Sequence, residues 1–242
     1  MLFKETVFKL KLDLTLLILS AFGFSFFTCQ SKEDRKTSYK LRYEIYGREG
    51  YINPDAYLDN LMTDEFDKNS IQILGTFRGR AIATARIILS SKKGFPVEKL
   101  FNIKTYYPKN KTAEISRLGI HPDFRSSNSK YSRFVMLGVA ALMYKESCRI
   151  GIDYWLAGMA EKLAGSFKPF GADFEKLREY TPTRENKKAR GYIDGYFKRS
   201  PIHPYLTEIR EIPKKGLALS SIIKRKKKHI PTLSGNESPV QR

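Results

Sequence analysis

The order of apolar and polar residues along the chain predicts alternating strands and helices. Apolar or β-branched runs typical of strands cover residues 24–29, 71–77, 81–89, 112–120 and 152–159. Apolar residues at intervals of three and four, typical of helices, cover residues 32–46, 130–149 and 161–168. This alternation predicts an α/β domain built on a mixed sheet.

Local signals define several boundaries. Ser31 with Asp34 three residues later is typical of a capping box at the start of the first of these helices. The strands at 71–77 and 81–89 are separated by Arg78-Gly79-Arg80, which predicts an antiparallel hairpin. The turn at 171–174 is expected to lead into an edge strand.

The N-terminal segment allows two interpretations. Residues 14–31 carry no charge and follow three lysines, which is typical of a signal peptide or a short membrane span. In the other interpretation, residues 24–29 are a core strand of the domain. Asp13 places a negative charge just before the apolar run, which weakens the targeting interpretation. We therefore expect a cytoplasmic protein, either free or associated with a membrane. The alternative is export through a signal or lipoprotein segment that ends near Cys29.

Composition divides the chain of 242 residues into three parts. Residues 1–21 are an apolar segment that serves in targeting or as an extra strand, and residues 22–212 form the domain. Residues 213–242 are a basic tail, which we expect to be disordered from about residue 220. The chain has 44 Lys plus Arg against 25 Asp plus Glu, a net charge of +19. This charge predicts an anionic partner. For the tail, this partner is expected to be an anionic membrane surface. The alternatives are non-specific contact with nucleic acid, or a tail that only aids solubility. We expect no binding to a specific nucleic acid.

Common catalytic and metal-binding motifs are absent from the sequence. Its two cysteines and three histidines are scattered and match no zinc-ligand spacing, so no metal site is predicted. There is no phosphate-binding P-loop, GxSxG, HExxH or GxGxxG. The sequence therefore does not fit the commonest classes of NTPase, esterase, zinc protease or dinucleotide-binding enzyme.

Four short segments occur in a characteristic order: residues 41–46 (LRYEIY), 64–67 (DEFD), 85–88 (ARII) and 114–117 (EISR). Their order and spacing resemble FeeM-type N-acyl amino acid synthases and, more distantly, the acyl-homoserine lactone (autoinducer) synthases. Both groups belong to the GNAT-like N-acyltransferase superfamily, and the resemblance covers roughly residues 22–180. It implies a GNAT-like fold, in which a mixed, mostly antiparallel central sheet is flanked by helices on both faces.

The resemblance also implies a reaction and its residues. A long-chain fatty acyl group would pass from the phosphopantetheine thioester of an acyl carrier protein to the amine of an amino acid, with no permanently bound cofactor. The alternatives are an acyl-homoserine lactone (autoinducer) synthase and a non-catalytic, membrane-associated or lipoprotein relative of the fold. The matching substrate-binding residues are Arg42, Tyr46, Asp64, Asp67 and Arg86. The matching catalytic residues are Glu114, Arg117 and, as a weaker candidate, Ser116.

The chemistry of amide formation suits these residue types. An ammonium must lose a proton before it attacks, and Glu114 is the best candidate for the base. Backbone N–H groups around residues 117–119 are candidates for stabilising the oxyanion. Arg86 or Arg42 is expected to bind both oxygens of the acceptor carboxylate.

Plainer interpretations of the same residues stay open. Strict alternation along a strand would put Glu114 and Arg117 on opposite faces. They share a cleft only if a β-bulge intervenes, as it does in the corresponding strand of the GNAT fold. Asp64 and Asp67 are also typical of loop carboxylates that cap turns. Arg42 is equally consistent with a solvated helix face.

Two departures from related enzymes bear on the substrates. Enzymes of this fold that bind coenzyme A use a glycine-containing loop for the pyrophosphate, whereas residues 125–130 (RSSNSK) contain no glycine. A carrier-protein donor is therefore expected, and acyl-CoA less so, with an acidic carrier protein docking on Arg125, Lys130, Arg133 and Lys145. Autoinducer synthases carry a tryptophan shortly after the aromatic residue that matches Tyr46, and here Tyr51 and Ile52 occupy that region. This difference favours an amino acid over S-adenosylmethionine as the acceptor.

Overall fold

A computed structural model describes residues 2–125, 131–183 and 200–215. Its helices are α1 (Leu2–Ala21), α2 (Lys32–Arg48), α3 (Pro96–Leu100), α4 (Pro122–Arg125), α5 (Ser132–Arg149), α6 (Glu161–Ser166) and α7 (Ile212–Lys215). Its strands are β1 (Phe24–Thr28), β2 (Ser70–Phe77), β3 (Arg80–Leu89), β4 (Phe101–Ile103), β5 (Thr112–Ile120), β6 (Tyr154–Ala160), β7 (Glu175–Lys176), β8 (Tyr180–Pro182) and β9 (Ile202–Glu208). The strands and helices predicted from apolar periodicity are present, with boundaries shifted by a few residues.

Seven strands form the main sheet in the order β1-β2-β3-β5-β6-β9-β7. Every neighbouring pair is antiparallel except β5 and β6, which are parallel. The hairpin between β2 and β3 turns through Arg78 and Gly79, which both have positive φ angles, as the right-handed twist of a two-residue hairpin requires. The mixed, mostly antiparallel sheet confirms the expected fold class.

The two faces of the sheet have different partners. Ile87 and Ile115 belong to the main hydrophobic core, which α1 and α5 cover. Arg86 and Glu114 are neighbours of these residues in the chain and project from the opposite face, because side chains alternate along a strand. Helices α2 and α3 cover that second face. Charged groups are thereby buried between the sheet and two helices.

The N-terminal segment is a helix rather than the extra strand that was one expectation. Phe8, Leu12 and Leu19 recur at helical intervals and are buried in the main core. Burying this row against α5 requires the 3.6-residue period of a helix, because a strand would direct successive side chains to opposite sides. Residues 24–28 form β1 and pair with β2, as predicted for the core strand. Among the described helices, none is both long and apolar enough to cross a membrane.

Leu12→Ala is expected to lower the free energy of unfolding by about 2–5 kcal/mol, because it leaves a cavity in a packed core. Leu14→Ala is the matched control on the same helix: Leu12 is 2% exposed and Leu14 is 55% exposed. The control is expected to change stability by about 0.5 kcal/mol or less. Urea denaturation followed by circular dichroism measures both, and equal stabilities of the two variants would contradict the packing of α1.

At the C-terminus, residues 216–242 lie outside the described residues, and so does most of the tail predicted at 213–242. The structure describes its first three residues within α7. Ile212, at the start of α7, is buried and contacts the same apolar space as Phe8 and Leu12 of α1. Helix α7, the last described element, therefore lies beside α1.

Candidate active site

A β-bulge in β5 brings Arg117 to the polar face of the sheet. Thr84 of β3 faces Gly119, and Arg86 faces Ser116, so Arg117 and Leu118 together face one residue of β3. Arg117 has a φ of 53°, a left-handed conformation that is unusual for a residue with a side chain. The extra residue reverses the alternation, and Arg117 joins Glu114 and Ser116 on one face. The bulge on which the sequence interpretation depended is present.

Asp64 and Arg86 form the centre of a buried ionic cluster on this face. Arg86 is 1% exposed. Its Nη1 and Nη2 donate to Asp64 Oδ1 at 2.6 Å and Oδ2 at 3.0 Å, a two-pronged arginine–carboxylate pair. Its Nε donates to Ser116 Oγ at 3.0 Å. Arg117 Nη2 donates to Asp64 Oδ2 at 2.8 Å.

Asp67 links the cluster to α2. Its Oδ1 accepts from Arg42 Nη1 at 2.9 Å, from Arg86 Nη1 at 2.8 Å and from Gln72 Nε2 at 2.9 Å. Its Oδ2 accepts from the backbone N–H of Asp64 at 2.8 Å. Arg42 is completely buried and also donates to Gln72 Oε1. Asp64 and Asp67 thus hold the arginines of three elements together and are not isolated turn caps, and Arg42 does not lie on a solvated helix face.

Burial and the arginines act in opposite directions on the two aspartates. Burial alone would raise the pKa of Asp64, but Arg117 and Arg86 lower it well below its usual range. The pKa of Asp67 is likewise lowered by Arg42 and Arg86 against the effect of burial. Both carboxylates are therefore charged at neutral pH, and they offset two of the three arginine charges.

Glu114 differs from these aspartates because it has no arginine bonded to it. It is 3% exposed, and its Oε2 accepts from the backbone N–H of Val97 in α3 at 2.8 Å. Burial raises the pKa of Glu114 to about 8, although the Val97 N–H group, Arg86 and Arg117 each lower it. A carboxyl group that titrates near neutral pH is suited to proton transfer.

Arg117 and Asp64 form the part of the cluster that reaches solvent. Their side chains are 16% and 25% exposed. Arg117 Nε is buried without a hydrogen-bond partner, although buried polar groups are nearly always paired. The carboxylate of Asp64 raises the pKa of Arg117 against the effect of burial, so this arginine stays charged. Among the described residues, the Arg117 guanidinium therefore bonds to Asp64 but has no acceptor for its Nε.

The expectation that Arg86 or Arg42 binds an acceptor carboxylate does not fit this geometry. Both guanidiniums are buried, and Asp64, Asp67 and neighbouring polar groups already accept from their terminal nitrogens. In this cluster, Arg117 is the guanidinium that is both partly exposed and incompletely bonded.

Tyr46 adjoins this exposed part of the cluster. The Arg117 guanidinium lies 5.9 Å from the centre of the Tyr46 ring. The Tyr46 hydroxyl donates to the Leu118 carbonyl at 3.5 Å, which ties α2 to the bulge. Tyr51 packs edge-on against the same ring at a centroid distance of 5.8 Å. All eight residues that the sequence assigned to substrate binding and catalysis therefore lie in one place.

Strands β5 and β6 diverge next to the cluster. Their parallel pairing runs from Thr112↔Tyr154 to Glu114↔Leu156, whereas β6 stays paired with β9 as far as Ala160. The second half of β5, including the bulge, consequently has no strand on its β6 side within the described residues.

The residues expected to dock a carrier protein lie, where the structure describes them, on α4 and α5. Arg125 of α4 pairs with Glu49, and Arg133 lies near the N-terminal end of α5. Lys145 is three turns further along α5 and pairs with Asp13 of α1. Lys130 lies outside the described residues. Of these residues, Arg125 and Arg133 lie on α4 and at the N-terminal end of α5, two helices that contact each other just after β5.

Sequence reasoning missed two contributors to the site. Gln72 is buried in β2 between Arg42 and Asp67, and a lone polar residue in the apolar run 71–74 was a usable signal. The Val97 N–H group gives no signal in the sequence, because its contact with Glu114 depends on where α3 packs.

Comparisons with known proteins agree with this geometry. The family model for the N-acyl amino acid synthase FeeM matches residues 37–186. Among solved structures, FeeM from uncultured soil microbes has 11% sequence identity and a TM-score of 0.57, covering 82% of this chain and 96% of its own. A CoA-dependent acyl-homoserine lactone synthase, BjaI, has 17% identity and a TM-score of 0.54, with coverages of 79% and 83%.

A third structure represents the wider superfamily. An N-acetyltransferase from Lactobacillus plantarum has 11% identity and a TM-score of 0.50, covering 77% of this chain and 99% of its own. At these identities the structural matches show the GNAT-like fold. A search of curated proteins finds no match. Because the family match spans more than half of the sequence and contains the whole ionic cluster, this chain belongs to the FeeM family of N-acyl amino acid synthases and is an N-acyltransferase.

Proposed function

We propose that this N-acyltransferase moves a long-chain fatty acyl group from the phosphopantetheine thioester of an acyl carrier protein to the α-amine of an amino acid. The observation that carries the proposal is the arrangement on β5. A carboxyl group with a pKa of about 8 lies on the same face as Arg117, which bonds to Asp64 but has no acceptor for its Nε among the described residues, and both lie beside the point where β5 and β6 separate.

An amino acid acceptor suits the exposed part of the cluster. Its carboxylate would bind the charged guanidinium of Arg117, whose Nε has no partner in the protein. This assigns to Arg117 the role that the sequence suggested for Arg86 or Arg42. Asp64, whose carboxylate is 25% exposed, lies beside this position and favours the ammonium group.

The transfer then proceeds as an aminolysis. Glu114, in its ionised form, takes a proton from the ammonium directly or through a water molecule, which frees the amine to attack the thioester carbonyl. Backbone N–H groups in the second half of β5, on the side from which β6 has separated, stabilise the oxyanion. The C–N bond forms, the C–S bond breaks, and the phosphopantetheine thiolate leaves and takes up a proton. Arg42, Asp67 and Arg86 position Asp64 and do not touch the reacting atoms.

A carrier protein is the favoured donor because residues 125–130 contain no glycine to approach a coenzyme A pyrophosphate. The exposed cations at Arg125 and Arg133 suit an acidic protein at the N-terminal end of α5. BjaI, which shares the fold, is CoA-dependent by its description. Both donors therefore belong in the assay.

Purified protein should be incubated with either a long-chain acyl carrier protein or the matching acyl-CoA, together with a pool of amino acids and S-adenosylmethionine. Mass spectrometry of the products is expected to find an N-acyl amino acid with the carrier-protein donor. An acyl-homoserine lactone would overturn the assigned acceptor, and product from acyl-CoA alone would overturn the assigned donor. Absence of product with both donors would overturn the proposal.

Arg117→Ala is expected to raise the KM for the amino acid by about 10- to 150-fold, because a charged hydrogen bond contributes about 1.5–3 kcal/mol. Asp64 keeps its two-pronged pair with Arg86 in this variant, so the fold should persist. Steady-state kinetics with varied acceptor measure the effect. Arg210→Ala, which removes an arginine paired with Asp153 in another part of the domain, is the control. An unchanged acceptor KM in Arg117→Ala would refute the assigned role.

A further inference from the structure

Helix α1 carries apolar residues on two opposite faces. Its inner face is buried in the main core. Its outer face presents a stripe that continues past the helix to residue 22: Phe3, Leu10, Leu14, Leu17, Ile18 and Phe22, each 49–80% exposed. In the described residues, only Leu58 and Tyr106 are other large hydrophobic residues with such exposure. A continuous apolar stripe of this kind marks an interaction surface.

Positive charges surround this outer stripe. Along the helix, the carboxylates of Glu5 and Asp13 are paired with Lys9 and Lys145. The remaining charged residues of α1, Lys4 and Lys11, are exposed and positive. The helix therefore offers an apolar surface with a cationic border.

Further exposed cations lie close to α1. Next to Phe22, the Gly23 carbonyl accepts from the backbone N–H of Arg78 at 2.8 Å, which holds this exposed arginine at the C-terminal end of α1. Helix α7 packs against α1 and carries two exposed lysines, Lys214 and Lys215, which pair with Glu211 and Asp173.

We propose that the outer face of α1, together with these cations, binds the surface of an anionic lipid bilayer. An apolar face bordered by lysine and arginine is the pattern of a helix that lies in the plane of a membrane interface. Basic residues near such a surface add to binding through the negative potential of anionic lipids. Because the inner face stays packed on the domain, α1 binds without leaving it. The proposal does not depend on the acyl acceptor or donor.

Flotation with lipid vesicles tests this surface in the full-length protein. The wild type is expected to float with vesicles of phosphatidylcholine mixed with phosphatidylglycerol, and much less with phosphatidylcholine alone. The combined variant Leu10→Gln, Leu14→Gln and Leu17→Gln is expected to weaken binding about tenfold or more, because it removes apolar surface from the interface. Leu58→Gln combined with Tyr106→Gln is the matched control, since both residues are highly exposed elsewhere.

Thermal unfolding by circular dichroism shows whether the α1 variant stays folded, as expected for substitutions at exposed positions. Wild-type binding that the α1 variant retains would overturn the proposal, as would failure of the wild type to bind anionic vesicles. Sedimentation velocity without lipid tests whether the stripe instead binds a second copy of the chain. A wild-type dimer that the α1 variant abolishes, without vesicle binding, would assign the stripe to a second copy of the chain.

Discussion

Replacing Glu114 with glutamine is expected to lower kcat for acyl transfer by about 10²- to 10⁴-fold, the usual contribution of a positioned general base. Glutamine keeps the size of the side chain, and its amide oxygen can still accept from the Val97 N–H group. The loss would therefore report proton transfer rather than a change in packing. Steady-state rates at saturating donor and acceptor measure it.

The pH profile adds a second readout for Glu114. The base form exists above a pKa of about 8, so wild-type kcat/KM is expected to rise with pH through that value and then level off. The residual activity of Glu114→Gln should lack this rise. Glu98→Gln is the control, because Glu98 also accepts a backbone N–H of the α3 segment but bonds through its other oxygen to Tyr107 and has no assigned role in the reaction. A Glu114→Gln variant with more than about a tenth of wild-type kcat would contradict the assignment.

Stability should respond to the same titration. The pKa of Glu114 is raised from 4.5 to about 8 in the folded protein, so the folded state holds a proton that the unfolded chain releases. This contribution to the free energy of unfolding is full below about pH 4.5 and is lost as the pH rises through about 8. Glu114→Gln removes the dependence and is expected to be more stable than the wild type at pH 9.

Asp67→Asn is expected to lower the free energy of unfolding by about 3–5 kcal/mol, because it removes one charge from a buried network and leaves its partners unbalanced. Arg42 would lose its carboxylate partner, Arg86 and Arg117 would share the single remaining carboxylate, Asp64, and the new amide N–H groups would face donors. Urea denaturation near neutral pH measures the effect as a lower midpoint at an unchanged slope. Activity should fall with stability, since Asp64 loses the backbone contact with Asp67 that helps to hold it.

Glu65→Gln is the matched control for Asp67→Asn. Glu65 belongs to the same loop and pairs with Lys93, but both side chains are more than half exposed. Exposed ion pairs contribute about 0–1 kcal/mol, so this variant should be close to the wild type. If the two variants lost equal stability, the cluster would not be the structural centre that we describe.

Acid should weaken the same network in the wild type. The pKa values of Asp64 and Asp67 are lowered from 3.8 in the folded protein, so their contribution to stability is complete above about pH 4 and is lost as the pH falls below it.

The sequence by itself determined the strands and helices that depend on local pattern. The apolar alternation of residues 112–120 predicted β5 with its observed ends. Ser31 with Asp34 predicted the cap that begins α2, and both hydrogen bonds of the capping box are present. The four segments around residues 41–46, 64–67, 85–88 and 114–117 indicated the family. The strand and the helix cap depend on residues close together in the chain, where local backbone preferences act. The family resemblance depends on residue types in a fixed order, which the sequence also shows directly.

Only the tertiary structure decided the faces and partners of the charged residues. The face of Arg117 depends on the register between β3 and β5, because one extra residue in β5 reverses the alternation. The bonding of Arg42 and Arg86 depends on Asp64 and Asp67, which come from a distant loop. Burial of Glu114 depends on α3, and this burial rather than its neighbours in sequence raises its pKa. Solvent exposure and charge pairing are properties of packed elements, so the sequence indicated the residues of this cluster, and the fold decided their partners and their exposure.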